Sequence, residues 1–453
     1  MGKPRRIITP EFKQETVDLL RRGEKTIRQV ARELLIGQTA LSRWNLQGAN
    51  ARDHQVELKQ MQLKIALHPM GGVSWPAGEI YLRNLCYSLR HMGPKELRTS
   101  LFLTDESPAT LDYARTIEAD DLLVYHRPRR WTPLWAINGL TRRLWSRDVV
   151  MEGVLKEHGI NVVFGPYLVD EYRRIATLAW LPDFQHIHLP SMFSDEERLK
   201  RDRVFDQCAR SATRIIVDTE SSRKDFASFA PRYVGKVRVL SPISYIPDSV
   251  YDSELDSLLK MYHLPEKFVY LPNQFWKHKN HEIVFRAVKG LKDRGVRISV
   301  VCTGNSVDYR HSAHFAGLFE KLSQWNIREE VLYLGLVPHD HVLMLMRQSL
   351  CVMNPSLFEG WGITVDEARS LGKRVLLSDI PAHREQNPAK AAFFDPHDCD
   401  DLMEKLGQIW RDVRPGPDVE LEAEARRELP ERLSAYAEAF TAVAREAVEE
   451  VES

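Results

Sequence analysis

The sequence predicts an α/β protein built from two doubly wound, parallel-sheet domains behind a small all-α segment. Three observations carry that expectation. The chain has 453 residues, 43% apolar and 28% charged, too long for a single core and ordinary in composition for a globular protein. Short apolar runs at 63–67, 99–103, 121–125, 161–165, 176–181, 214–217 and 237–240 alternate with segments of helix length, the mark of parallel strands joined by crossover helices. The same pattern restarts after Lys267, with strands expected at 268–271, 298–302, 331–334 and up to Met353.

Composition excludes several classes. The formal net charge is zero, so nothing draws the whole chain toward nucleic acid or acidic membrane. Cysteines at 86, 208, 302, 351 and 399 are scattered without a Cys-x-x-Cys pair, which argues for buried thiols in a reducing compartment and against a zinc cluster. Charged residues interrupt the N-terminus where a signal peptide would be apolar, and no run of about eighteen apolar residues occurs. A cytoplasmic location is expected, with contact at a membrane periphery left open.

Residues 1–50 carry ten Lys or Arg against five Asp or Glu. Thr9 and Pro10 open a first helix that ends at Gly23, a second runs from Thr26 to about Leu34, and a third from about Gln38 to Trp44. Short basic helices joined by tight turns read as a helix-turn-helix whose third helix enters the major groove. R-R-I-I-T-P-E-F-K-Q-E-T-V-D-L-L, I-R-Q-V-A-R-E-L and T-A-L-S-R-W are similar to the N-terminal domain of the small subunit of insertion-sequence transposases. That family places a Gly after A-R-E-L, where this chain has Leu35, whose Cβ resists the left-handed turn. Residues 51–60 read as a linker.

In the first α/β domain, 61–245, Met70-Gly71-Gly72-Val73 follows the first strand and leads toward a helix near Ala77. The small side chains of Gly71 and Gly72 would let backbone N–H groups face a phosphate or an acceptor. Leu181 to Pro190 packs an acid, an amide and two imidazoles into one loop, and Asp183 and His186 are expected to line the interdomain cleft; without a third ligand beside His186 and His188, no metal site is expected. Arg127 to Val150 alternates six arginines with Trp131, Trp135 and Trp145, the composition of an interfacial membrane helix, although an outer helix with its tryptophans turned into the core is the preferred reading.

The second domain, 246–417, opens with a strand and the loop P-N-Q-F-W-K-H-K-N-H, then a helix from about Glu282; residues 418–453 read as charged helices. Its centre is Leu350 to Glu385, where a buried strand is followed by a glycine-bearing turn, a helix over Thr364–Leu371 stopped by Gly372, and another strand. A helix start beyond a strand's carboxyl end suits an anion, and Gly360 and Gly362 would let the backbone approach a phosphate. Glu359 and Glu367 flank that turn and are good acceptors for hydroxyls, so the ligand expected carries both phosphate and sugar.

N-P-S-L-F-E-G-W-G-I-T-V-D-E-A followed by S-D-I-P-A-H-R-E resembles the nucleotide-binding signature of the retaining glycosyltransferase family 4. The resemblance covers about 61–400 and implies the GT-B fold, two Rossmann-like domains facing a cleft. It implies transfer of a sugar from a nucleotide-sugar donor to a glycan or lipid-linked glycan acceptor, with retention at the anomeric carbon and no metal or other cofactor. By the same resemblance Glu367 would hold the ribose and Glu359 a donor-sugar hydroxyl. Lys279 and the turn Gly360, Trp361, Gly362, Ile363 and Thr364 would hold the diphosphate. Gln274 stands where the family has an Arg, so phosphate binding would rest more on Lys279, with Lys277 beside it. M-Q-L-K-I-A-L-H-P-M-G-G-V from Met61 looks like the natural beginning of such an enzyme. Residues 1–60 are therefore read as a mobile-element fragment fused in frame, or as the result of an early start codon. The alternatives are a DNA-binding transposase-like or regulatory protein acting through residues 1–50, and a catalytically silent GT-B scaffold.

Overall fold

The computed structural model describes residues 26–34, 62–71, 75–103, 106–126, 128–145 and 147–453, with Thr16, Leu20 and Leu41 as single helical positions. The chain divides into two units, Met1–Gln62 and Leu63–Ser453. In the first, the expected second helix is present as Ile27–Leu34. Its start is held reciprocally, because Gln29 N donates to Thr26 Oγ1 while Thr26 N donates to Gln29 Oε1 (2.8 Å). Most of the expected first and third helices, and Leu35 at the altered turn, lie outside the described residues.

The second unit holds two parallel sheets. The first contains β1 (Leu63–Leu67), β2 (Leu97–Leu103), β3 (Asp121–Val124), β4 (Val162–Pro166), β5 (Ala176–Trp180), β6 (Arg214–Val217) and β7 (Val237–Val239), in spatial order β3-β2-β1-β4-β5-β6-β7. The second contains β8 (Val269–Leu271), β9 (Val300–Cys302), β10 (Val331–Tyr333), β11 (Val352–Asn354), β12 (Val375–Ser378) and β13 (Ala392–Phe394), in order β10-β9-β8-β11-β12-β13. Both central strands are buried on two faces, which is why they read as continuous apolar runs rather than alternating ones. In each sheet the winding reverses once, between β1 and β4 and between β8 and β11. The loops that leave those strands therefore diverge and open a crevice at their carboxyl ends.

The two sheets meet through polar contacts that cross between them. Glu385 caps the helix Glu220–Phe229, its carboxylate accepting from the backbone N–H groups of Glu220 and Ser221 (2.7 Å each). Asp366, buried in the first turn of the helix Ile363–Ser370, accepts from Ser244 N and from Arg432 Nη2 (2.7 Å).

The chain end forms one helix, Val419–Glu452, where several were expected. Pro430 lies inside it and does not end it. Near its start Glu422 receives two hydrogen bonds from Arg347 of the second domain (2.7 and 2.9 Å). Further along, Phe440 packs edge-on against Phe164 of β4, and Glu446 and Glu450 pair with Arg214 of β6. One rod of about 51 Å at 1.5 Å per residue thus lies along both domains.

One expectation is reversed. The helix Pro133–Trp145 does not turn its apolar side into the core: Trp131, Leu134, Trp135, Ile137, Leu140 and Leu144 are all exposed. The thiols follow expectation, with Cys86, Cys208, Cys302 and Cys351 buried and Cys399 half-buried. Among the described residues no helix is long and apolar enough to cross a membrane.

Candidate active site

A cavity of about 290 Å³ lies where the two crevices face each other. Trp75, Tyr81, Trp180, Pro182, Asp183, Gln185 and Asp218 line it from the first domain. Asn273, Gln274, Lys279, Thr303, Gly304, His339, Glu359 to Thr364 and Glu367 line it from the second.

The loop after β8 delivers Lys279 from a short 3-10 turn, Lys277–Lys279, closed by Asn280 in the left-handed region (φ 55°). The loop after β11 delivers Glu359. Lys279 Nζ donates to Glu359 Oε1 (2.6 Å), and the Ser356 hydroxyl lies at the same distance from that oxygen. Burial pushes the Glu359 carboxyl up, but the Lys279 charge and these hydrogen bonds outweigh it, so the group is held below its ordinary value and stays ionised. The site is therefore a buried ion pair whose two members both face the cavity.

Glu367 sits in the helix Ile363–Ser370, and its Oε1 accepts from His339 Nε2 (2.5 Å). His339 Nδ1 in turn lies 2.6 Å from Arg83 Nη2. A guanidinium can only donate, so Nδ1 accepts and the ring proton sits on Nε2, which orients one face of the Glu367 carboxylate. This chain joins the first domain's helix Pro76–Met92 to the far wall of the cavity. The sequence reading missed both His339 and Arg83, because nothing in local spacing links residues 256 positions apart.

Glycine requirements differ from those expected. A Cβ on Gly360 would stand 1.8 Å from the Pro182 carbonyl oxygen of the opposite domain, so the domain contact by itself requires a glycine there. Gly362 has room for a Cβ, and its requirement is conformational, φ 95° at the start of the helix.

Other expected site residues fall apart in the structure. His186 does not line the cavity. Its ring packs against Phe184, Phe193 and Phe205, its Nε2 pairs with Asp202 (3.1 Å), and burial, reinforced by Arg201, pushes it toward the neutral form. Asp183 does reach the cavity wall, where Arg201 Nη2 holds it (2.7 Å). Lys277 is exposed and off the cavity wall. Gly71 (φ 103°) is set against the start of the helix at Pro76, where a Cβ would stand 2.3 Å from Glu79 N, and it too is off the wall. Gly72 lies outside the described residues.

Gln274 and Trp361 line the cavity, and Gln274 Oε1 and Trp361 Nε1 are buried polar atoms without a protein partner. Such atoms are costly unless a ligand or water meets them. The positive charge lacking at Gln274 is partly present one layer back: Arg310, itself buried, stacks on Trp276 and donates to Gln185 Oε1 (3.0 Å). Burial first, then Lys279 and Arg310, drive His278 well below its usual value, so its ring is neutral. Asp218, on the opposite wall, accepts from Trp180 Nε1 (2.9 Å), and burial raises its pKa well above the ordinary carboxyl range. Among the described residues no group of three or more His, Cys, Asp or Glu side chains could hold a metal ion.

Residues 263–438 match the family model described as glycosyl transferases group 1. A stretch of 106 residues, 23% of the chain, is 30% identical to a putative glycosyltransferase, EpsF, of Bacillus subtilis, and spans 26% of that relative's length. Among solved structures, Anabaena HepE in complex with UDP and glucose is similar at 14% identity and a TM-score of 0.60, over 86% of this chain and 99% of that one. Sucrose-phosphate synthase from Thermosynechococcus elongatus is similar at 15% identity and a TM-score of 0.54, over 86% and 98%. The chain has the GT-B fold, and residues 263–438 within it are similar to the glycosyl transferases group 1 family.

Proposed function

We propose that the chain is a retaining glycosyltransferase that moves a hexose from a nucleotide-sugar donor to a glycan or lipid-linked glycan. The observation that carries this is the buried Lys279–Glu359 pair (2.6 Å) facing a cavity that also receives Glu367. Glu367, with one carboxylate oxygen fixed by His339, offers the other to ribose hydroxyls. Lys279 and the backbone opening the helix at Ile363 meet the diphosphate, and Gln274 Oε1 and Trp361 Nε1 are placed for the donor's polar groups. HepE has been solved with UDP-glucose, which supports a UDP-sugar as the first donor to try.

In the step proposed, the bond from the anomeric carbon to the diphosphate oxygen breaks as the acceptor oxygen bonds that carbon on the same face. The acceptor's proton passes to the departing phosphate oxygen, and the nucleoside diphosphate leaves. Charge accumulates on that oxygen, so a fixed ammonium and a helix start contribute most where the barrier is highest. The proposal assigns this charge to Lys279 and the helix start without a metal ion.

Nucleotide release should be measured with UDP-, GDP- and ADP-sugars in the presence of chelator. One donor class is expected to be turned over. Lys279→Ala should lower turnover by about 10²–10³-fold, the usual cost of removing one charge-stabilising donor. Glu367→Ala should mainly raise the donor KM. Silence toward every donor, with no thermal shift on adding any of them, would leave a scaffold on the same fold and end the proposal.

A further inference from the structure

Among the described residues nothing covers the apolar face of the helix Pro133–Trp145. Pro133, Ile137, Leu140 and Leu144 recur at i, i+4, i+7 and i+11 and form one stripe, with Leu134 beside it and all five exposed. At the helix start Trp131 is 86% exposed, its ring 5.5 Å from that of Trp135. Asn138 in this helix is buried, and its Oδ1 accepts from Val150 N (3.3 Å), which ties the helix to the next one. An apolar face this continuous is uncommon on a surface in contact with water alone.

The charge around it is one-sided. From His126 to Arg147 the sequence has six arginines and no Asp, Glu or Lys, in a chain whose net charge is zero. Arg130 and Arg143 are exposed beside the apolar stripe. Exposed tryptophan, a leucine and isoleucine stripe and unopposed arginine together match a bilayer interface: the apolar side chains enter the acyl boundary, the indoles sit at the headgroups, and the guanidiniums meet lipid phosphates. A protein partner would need acidic side chains placed to complement the arginines, whereas anionic headgroups supply that charge along the whole face.

We infer that Trp131 and the exposed face of the helix Pro133–Trp145 dock the protein on an anionic lipid bilayer. The helix follows β3, so it leaves the sheet at the strands' carboxyl edge. The loop after β5, with the cavity residues Pro182, Asp183 and Gln185, leaves at that same edge. A bilayer on this face would hold a lipid-borne molecule on the side from which the cavity is reached. The docking itself does not depend on the proposed transfer reaction.

The test is co-sedimentation of the full chain with phosphatidylcholine vesicles, alone or mixed with phosphatidylglycerol. The mixed vesicles should bind the protein and the neutral ones should not, with binding weakened by salt. The Ile137→Asp/Leu140→Asp double variant should lose binding by about tenfold or more, from lost insertion and added like charge against the lipid. Leu199→Asp, at another exposed leucine of the first domain, should bind as the parent does, and circular dichroism should report all three proteins folded. Nucleotide release from a water-soluble donor should be equal in all three, which separates failure of docking from failure of the transferase reading. No binding of the parent to mixed vesicles, or equal binding by the double variant, would overturn the inference. A self-associated parent that the double variant converts to monomer would overturn it too, because a second copy would then cover the face.

Discussion

Two buried carboxylates of the cavity titrate in opposite directions, and each makes a prediction. Glu359 is held low by Lys279 and Ser356, so its contribution to stability is complete above the unfolded value, near 4.3 for a free glutamate, and is lost as pH falls through the folded one. Thermal midpoints between about pH 5 and pH 3, the interval in which free carboxyls protonate, should fall less in Glu359→Gln than in the parent. Asp218 is raised by burial, so the unfolded chain sheds its proton first and stability falls as pH rises above roughly 3.9, until the folded value is reached. Asp218→Asn keeps an oxygen for Trp180 Nε1 and removes that penalty. Its thermal midpoint should exceed the parent's at pH 8 and equal it near pH 4, below which both are neutral on this wall, and a lower midpoint at pH 8 would show that the carboxyl is ionised and partnered. Legibility at this scale followed sequence distance. Glu359, Glu367 and Lys279 stood in motifs a few residues long, and the structure brings all three to one cavity. His339 and Arg83 were invisible because their roles come from a contact between domains, Asp218 because its partner Trp180 lies on a neighbouring strand, and His186 misled because a histidine beside an aspartate reads alike in a ligand loop and in an aromatic core.

Elements were more legible than residues. The seven strands expected in the first domain are the seven observed, with ends shifted by at most two residues, because two-sided burial writes the inner strands as apolar runs. The helix at 133–145 shows where that logic stops: an apolar face predicts burial, and pattern alone cannot say whether protein or something else provides it. The chain end shows another limit, since Pro430 argues for a break that tertiary packing on both flanks overrides. Between elements, the turn at Gly360 is the sharpest constraint. Gly360→Ala should leave secondary structure intact while forcing Pro182 and the turn apart, because the added methyl would stand 1.8 Å from a carbonyl oxygen. Donor turnover should drop at least about tenfold, the effect of misplacing a reacting group by a fraction of an ångström. Crystallography or chemical-shift mapping should show the change confined to the domain contact. Unaltered turnover would mean that this contact does not set the catalytic geometry.

At the scale of the whole molecule, the helix Val419–Glu452 makes the stability of the first domain depend on the last residues of the chain. Phe440 is fully buried against Phe164 and the core beneath β4, so Phe440→Ala should cost about 3–5 kcal/mol, read by denaturant titration. The loss should appear in the first domain's transition although the substitution lies near the C-terminus. The order of synthesis gives this arrangement a further meaning. Domains made early on a ribosome ordinarily finish folding while the rest is still being translated. Here the strand that receives Phe440 is made before the whole second domain and the phenylalanine after it, so the first domain waits, with an apolar side uncovered, until the second has been translated. A nascent chain that stalls before the helix Val419–Glu452 would present that side to chaperones and proteases, so copies lacking the helix would be cleared rather than accumulate.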